Sequence, residues 1–356
     1  MTTSGKLFLL ISMLQGLQVF AAPIDSVRLI KTDVTSSFRG VSVVDDKVAW
    51  VSGSKGTVGK SKDGGNTWKF ITVPGFEKSD FRDIEAWSDK EAVIMSSGTP
   101  AVVLRTSNGG IKWDTCFFST DTLIFLDAFD FRNNIGLMLA DPINGRHTIY
   151  VTKNKGKSWS LIPENERPEA LPEEAAFAAS GTCIRLTFTE HVVFVTNMSC
   201  FVGSYYNEKL YLEKYPPLLI NLNIDSLPAK KYVNTGTENK NLTYGLYSVA
   251  LNGNLVTGIY GDYKKPNDSS FVWQYLIYSK SQIVNSDKNI IRGYRSCIES
   301  LGNGVFITCG TNGIDLIKNN KAIIISFTGF NTVRKAKKGK LVLLAGDKGR
   351  IAILKN

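Results

Sequence analysis

Hydrophobic positions in this chain fall in short runs bounded by Gly, Pro, Asn and Asp. Lys47-Val48-Ala49-Trp50-Val51 and His191-Val192-Val193-Phe194-Val195 are representative. They are strand-sized and rich in β-branched and aromatic residues, which suit a pleated, half-buried surface. Turn signals recur every 8–12 residues or so, the spacing of an all-β sandwich or closed fold. Apart from the chain start and Pro172-Glu173-Glu174-Ala175-Ala176, no segment reads as helical.

A longer period lies over these short runs. Ser61-Lys62-Asp63-Gly64-Gly65-Asn66-Thr67-Trp68 recurs as Thr106-Ser107-Asn108-Gly109-Gly110-Ile111-Lys112-Trp113. A weaker copy is Thr152-Lys153-Asn154-Lys155-Gly156-Lys157-Ser158-Trp159. Asp63, Asn108 and Asn154 stand 45 and 46 residues apart, a period that marks stacked supersecondary units. Each copy predicts a hairpin corner. The Asp or Asn caps nearby backbone N–H groups, a Gly supplies positive φ, and the Trp anchors the corner on adjacent β structure. The candidate structural set is Ser61, Asp63, Gly65, Thr67, Trp68, Asn108, Gly110, Trp113, Asn154, Gly156 and Trp159.

An aromatic opens each unit: Phe38, Phe81, Phe125, Phe177, Tyr247, Tyr294 and Phe330. Gly-x-x-Gly turns at Gly53 to Gly56, Gly310 to Gly313 and Gly346 to Gly349 follow the second strand of their units. The repeat favours a propeller over a sandwich. The expected fold is an all-β, seven-bladed β-propeller, with six to eight blades the range considered. The last unit has about three strands, so Ser26 to Val34 is expected to supply the fourth and close the ring. A divergent or inserted segment is expected near 223–242, within a single domain of residues 23–356.

Lys6, the run Leu7-Phe8-Leu9-Leu10-Ile11 and the small residues before Pro23 predict a signal peptide over residues 1–22. Gln15 and Gln18 break that run below membrane-spanning length, and no later stretch is long enough, so no transmembrane anchor is expected. The mature protein is expected to be secreted or periplasmic. The net charge of +10 is spread along the chain, without a long basic arm, which favours a solvated surface over nucleic acid. Its densest run, Arg334-Lys335-Ala336-Lys337-Lys338-Gly339-Lys340, reads as a turn between strands. Of five cysteines, Cys297 and Cys309 flank Gly302-Asn303-Gly304 symmetrically, either as a disulfide across a hairpin or as two buried thiols.

These corners, with Phe38-Arg39-Gly40-Val41, Ala49-Trp50-Val51-Ser52-Gly53, Phe81-Arg82-Asp83-Ile84, residues 174–182, Gly261-Asp262-Tyr263 and Gly293-Tyr294-Arg295-Ser296-Cys297, carry a resemblance. The chain resembles the photosystem II stability/assembly-factor family of β-propellers, within the wider group with Asp-box (BNR) repeats. The resemblance implies a seven-bladed propeller that binds another polypeptide during assembly.

In a propeller the D-to-A and B-to-C loops share one face. That placement gathers Arg39, Arg82, Asp83, Asp127 and Arg295 around one mouth, with Glu174, Asp141, Asp262 and Tyr263 beside them. Arginine and carboxylate groups converging on a cavity form either a ligand site or an ion-pair ring that holds blades in register. The ligand expected is a protein or peptide segment, with a glycan as the alternative. A sialidase-like hydrolase would use the arginines for a substrate carboxylate and Tyr263 as nucleophile, but the Phe-Arg-Ile-Pro element of such enzymes is replaced by Phe38-Arg39-Gly40-Val41. An oxidoreductase reading, which exported propellers attract, finds no Gly-x-Gly-x-x-Gly. Two histidines give no multi-His metal site, and no Gly-x-Ser-x-Gly elbow occurs. The reading from sequence is a non-catalytic binding scaffold with no cofactor and no metal.

Overall fold

A computed structural model describes residues 27–187, 191–215, 242–277, 281–283, 290–291, 293–319 and 321–355. The expected leader, and residues 223–241 of the expected insertion, lie outside these.

Seven antiparallel sheets follow one another along the chain. Strand β1 (Val27–Ile30) stands apart from its neighbours in sequence. Blade 1 is β2 (Phe38–Val43), β3 (Ala49–Gly53), β4 (Thr57–Ser61) and β5 (Lys69–Thr72). Blade 2 is β6 (Asp80–Ala86), β7 (Ala92–Ser97), β8 (Ala101–Thr106) and β9 (Asp114–Ser119). Blade 3 is β10 (Leu126–Arg132), β11 (Ile135–Ile143), β12 (Arg146–Thr152) and β13 (Ser160–Leu161). Blade 4 is β14 (Ile184–Leu186), β15 (His191–Val195), β16 (Cys200–Tyr206) and β17 (Lys209–Tyr215). Blade 5 is β18 (Tyr244–Asn252), β19 (Leu255–Asp262), β20 (Ser270–Leu276) and β21 (Ser281–Ile283), with β22 (Ile290–Ile291) also on β20. Blade 6 is β23 (Cys297–Gly302), β24 (Val305–Gly310), β25 (Gly313–Lys318) and β26 (Lys321–Ser326). Blade 7 is β27 (Thr332–Lys335), β28 (Val342–Ala345) and β29 (Ile351–Leu354).

The missing fourth strand of blade 7 is β1, paired antiparallel to β29 from Val27↔Leu354 to Ile30↔Ile351. The first described strand thus completes the last sheet and closes the ring, as the sequence required. Middle strands such as β7 and β8 are buried on both faces, which is why they read as unbroken apolar runs. Outer strands such as β5 (Lys-Phe-Ile-Thr) are exposed or half-buried. Cores form between adjacent blades: Trp50 and Val58 of blade 1 pack with Ile84, Ile94, Val102 and Leu104 of blade 2.

Each repeated corner is tied by side-chain hydrogen bonds to its own backbone. In the first, Ser61 Oγ accepts the Gly65 N–H at 2.9 Å, and Asp63 Oδ1 accepts the Thr67 N–H at 2.9 Å. The Thr67 hydroxyl donates to Asp63 Oδ2 at 2.6 Å, and these bonds pull the Asp63 carboxyl down to about 2. Thr106 with Asn108, and Thr152 with Asn154, repeat the pattern around Gly110 and Gly156. Gly110, at φ +87, takes a conformation that side-chain-bearing residues rarely adopt, while a Cβ there would make only ordinary contacts with Ile71 and Trp50 of the preceding blade.

Several local readings shift. The inner strands of blades 1, 2, 3 and 5 carry bulges at Phe38/Gly40, Phe81/Asp83, Leu126/Ala128 and Leu246/Ser248. Taking the opening position as the residue just before the bulge, blades 3 and 5 place Leu126 and Leu246 there, so Phe125 falls one residue early and Tyr247 one late. Phe177 opens no strand, since blade 4 begins at Ile184. Residues 172–176 form no helix; the described helical turn is Glu164–Glu166. The basic run 334–340 begins inside β27, so only its later part is the turn expected. Cys297 and Cys309 are register partners, as the hairpin symmetry implied, but both are free thiols. Cys297 Sγ accepts from the Val333 N–H at 3.4 Å and the Arg334 guanidinium at 3.5 Å, which turns it toward blade 7.

Candidate functional site

The bulges explain the mouth chemistry. A bulge adds one residue to a strand and re-aims its side chain. In blades 1, 2, 3 and 5 the extra residues are Arg39, Arg82, Asp127 and Tyr247; the inner strand of blade 6 bulges elsewhere, at Leu301. Arg39 and Arg82 are half-exposed, while Asp127 and Tyr247 are buried.

Two of these side chains hold the chain's own backbone. The connection from blade 3 to blade 4 ends in residues 174–182, which dip across the channel. Arg82 Nη1 donates to the Ala178 carbonyl at 3.4 Å and Arg39 Nη1 to the Ala179 carbonyl at 3.2 Å. Arg334 Nη2, from blade 7, donates to the Ser180 and Gly181 carbonyls at 3.2 and 3.1 Å. The Ser180 hydroxyl donates to the Ser296 carbonyl at 2.8 Å, and Thr182 meets Ser248 at 2.6 Å. Blades 1, 2, 5, 6 and 7 thus grip a segment that belongs to blade 4. At its entry, Glu174 accepts from the Thr196 hydroxyl at 2.7 Å and Lys214 at 2.8 Å. Burial works against that charge, but His147, the Leu171 N–H and Lys214 hold the carboxyl well below its usual range.

Asp83 lies beneath the segment, 2% exposed, accepting the Phe129 N–H at 2.9 Å and the Ile84 N–H at 2.8 Å. Burial pushes its carboxyl up to about 8 despite the nearby Arg334. Gly181 sits against it at φ +65, and a Cβ there would lie 2.2 Å from Asp83 Oδ1. Gly181→Ala is therefore expected to unseat the segment while the seven sheets persist. Limited proteolysis should then cut within residues 174–182 at least tenfold faster, roughly a 1.4 kcal/mol rise in local opening.

The nine sequence-predicted site residues separate into two groups. Arg39 and Arg82 stay half-exposed and converge on one segment, and Tyr263 is 49% exposed near Tyr247. Asp141 is half-buried and accepts from the Ala176 backbone. Asp83, Glu174 and Asp262 are buried and hydrogen-bonded, Asp262 to the Thr243 hydroxyl at 2.7 Å. Asp127 is fully buried. Arg295 is 2% exposed and ion-paired with Asp315 at 2.6 Å. Arg39, Arg82 and Arg295 therefore do not form one cluster, and the last belongs to the ion-pair alternative.

Sequence reasoning missed the lower channel. Arg185 and Glu299 pair at 3.4 Å, Lys337 pairs with Glu85, and Asp130 Oδ2 accepts the Leu186 N–H at 2.6 Å. Burial raises the Glu85 and Glu299 carboxyls against these cations. The sequence signal for these charges was weak: Arg185 interrupts the short apolar strand β14, but Glu85 and Asp130 sit in strands that already carry several charges, and Lys337 follows β27. Phe177 and Tyr247 stack at 4.0 Å, with Tyr294 edge-on to Tyr247 at 4.8 Å; Tyr247 and Tyr294 are buried, and half-buried Phe177 covers them beside Ala179.

Comparison with known proteins agrees with this architecture. Photosystem II stability/assembly factor HCF136, chloroplastic, of Arabidopsis thaliana is 30% identical over 135 residues, 36% of this chain and 32% of its own length. Its counterpart in Oryza sativa subsp. japonica is 27% identical over 143 residues, 38% of this chain and 32% of its own. The chain thus matches about a third of the length of these relatives. Among solved structures, YCF48 bound to D1 peptide superposes with a TM-score of 0.63 at 14% identity, covering 94% of this chain and 99% of that one. YCF48 from Cyanidioschyzon merolae gives 0.59 at 12% identity, covering 93% and 99%. At such identities the likeness is one of fold. The family model for photosynthesis system II assembly factor YCF48 matches residues 21–200, just over half of the sequence, and the chain belongs to that family.

Proposed function

We propose that this protein is an exported, non-catalytic assembly-factor-like scaffold that holds a polypeptide segment at the mouth carrying Arg39 and Arg82. The observation that carries this reading is the grip of those two arginines on the Ala179 and Ala178 carbonyls. A mouth that holds one extended stretch of backbone across the channel has the donors to hold another. Guanidinium groups also suit a partner's carboxylates, and half-buried Phe177 suits an apolar side chain. YCF48, a relative in fold, has been solved with a D1 peptide, which supports a peptide as the ligand class. Residues 1–22 serve as the export signal in this reading.

The test is peptide capture from an arrayed library by the mature chain, with affinities measured by anisotropy. Arg82→Ala and Arg39→Ala should each weaken the best peptide about tenfold, the value of one charge-assisted bond near 1.4 kcal/mol. Fluorogenic glycosides should remain intact. Sugar release, or peptide affinity indifferent to both substitutions, would overturn the reading. Export is tested by N-terminal sequencing of the secreted product, expected to begin at Ala22 or Pro23.

A further inference from the structure

Between the corners of blades 1 and 2 runs a groove of about 760 Å³. Lys60, Lys62, Lys69 and Lys90 line it against a single carboxylate, Asp89, which pairs with Lys62 at 2.6 Å. Lys60 lies deepest, over the Trp50 ring at 4.8 Å, and two of its hydrogens go to the Asp89 and Gly109 carbonyls at 2.9 and 2.7 Å. Its register partner across β4 and β5 is Lys69. Burial, then the charges of Lys62 and Lys69, lower the Lys60 ammonium from its usual range. Like charges packed this closely are stabilised when an anion enters.

Two further features indicate what kind of anion. One wall is β5, the last strand of its sheet order, whose outer edge has no strand partner among the described residues. The other wall carries Ile111, 85% exposed at the tip of the second corner. Lysines, an open strand edge and an exposed aliphatic side chain together match an extended chain that alternates acidic and apolar residues. The corner carboxylate of Asp63 is absorbed in its own turn and does not oppose such a chain.

We infer that the groove between blades 1 and 2 binds an extended acidic peptide, which adds to the β5 edge with its carboxylates on Lys60, Lys62 and Lys69. This site is independent of the Arg39–Arg82 mouth.

The probe is a labelled twelve-residue peptide alternating Glu and Val, titrated against the full mature chain in about 50 mM salt, where exposed charges are weakly screened. Saturable binding is expected, about tenfold weaker for Lys69→Glu and for Lys62→Glu. Lys60→Met should also weaken it. Lys321→Glu on β26 makes the same net-charge change elsewhere and should alter affinity less than about twofold. Arg82→Ala should leave it unchanged, which separates this site from the mouth. A peptide N-methylated at alternate residues should lose binding if strand addition holds it. Equal weakening by Lys321→Glu would reduce the effect to general charge attraction and overturn the inference. Full binding by the N-methylated peptide, or tighter lysine-dependent binding of a polysulfated glycan or inorganic phosphate, would overturn it equally.

Discussion

Replacing Arg295 with alanine will destabilise the protein by about 3–5 kcal/mol, the cost of breaking a buried ion pair from one side. Arg295 and Asp315 are 2% and 1% exposed, with Nε on Oδ2 at 2.6 Å. Arg295 also donates to the Asn312 side chain at 2.6 Å and the Tyr294 carbonyl at 3.1 Å. Asp315 Oδ1 has no hydrogen-bond partner and Oδ2 would keep only the Thr308 hydroxyl at 3.5 Å, so loss of the guanidinium leaves a buried carboxylate with little compensation. Burial already raises the Asp315 carboxyl, and Arg295 is the main opposing influence. The double variant Arg295→Met, Asp315→Leu should recover most of the loss, because it removes both charges and keeps volume. Urea unfolding of the three proteins at equal m-value measures this directly. A loss under about 1 kcal/mol for Arg295→Ala would mean that the pair is solvated and that Arg295 is free to serve the mouth. The structural role also makes Arg82, which is half-exposed and held by Asp80 at 2.8 Å, the cleaner probe of ligand binding.

The architecture was legible because its signals are local. A Trp-marked corner needs only eight consecutive residues, and three copies at one spacing report stacked sheets without any long-range knowledge. Ring closure followed from counting strands in the last unit. The Cys297↔Cys309 register followed from turn symmetry alone. What failed was whatever one residue of bulge can move. Leu126 and Leu246, not the neighbouring aromatics, occupy the opening position, because a bulge decouples the count along the strand from the face a side chain takes. The segment 174–182 has no periodicity to advertise its path, so the mouth looked open in sequence. Its Glu174, read as a rim group, is instead the buried anchor of that path. Arg334 shows a third kind of failure. Composition placed it in a solvated basic run, yet it ends under Ser180 and Gly181, beside Cys297.

Stability should fall as pH rises from about 5 to 8, opposite to proteins whose buried carboxylates are well paired. Asp83 titrates at about 8 and Asp141 at about 6 in the folded chain, each raised first by burial. Asp127 is raised further by burial and by the Asp141 charge, with Arg82 opposing. Both Asp127 oxygens and Asp141 Oδ1 are buried without a hydrogen-bond partner, the geometry of two carboxyls that cannot both ionise comfortably. The sign follows from proton counts. Between the unfolded value near 4 and the folded values, the native state holds more protons than the unfolded chain. Raising pH through that window therefore favours unfolding. Asp83 alone would account for roughly 6 kcal/mol if the whole shift were expressed, an order-of-magnitude ceiling. Carboxyls shifted the other way, such as Asp63 at about 2, weaken the fold only in stronger acid. Maximum stability should then lie near pH 5. Asp127→Asn replaces one member of the pair with an amide able to donate to Asp141, and should flatten the decline by about 2 kcal/mol or more between pH 5 and 8. Urea midpoints across that range, for wild type and variant, are the measurement. A wild-type midpoint that climbs from pH 5 to 8, or a variant whose slope matches it, would show that these carboxyls are ionised and solvated throughout.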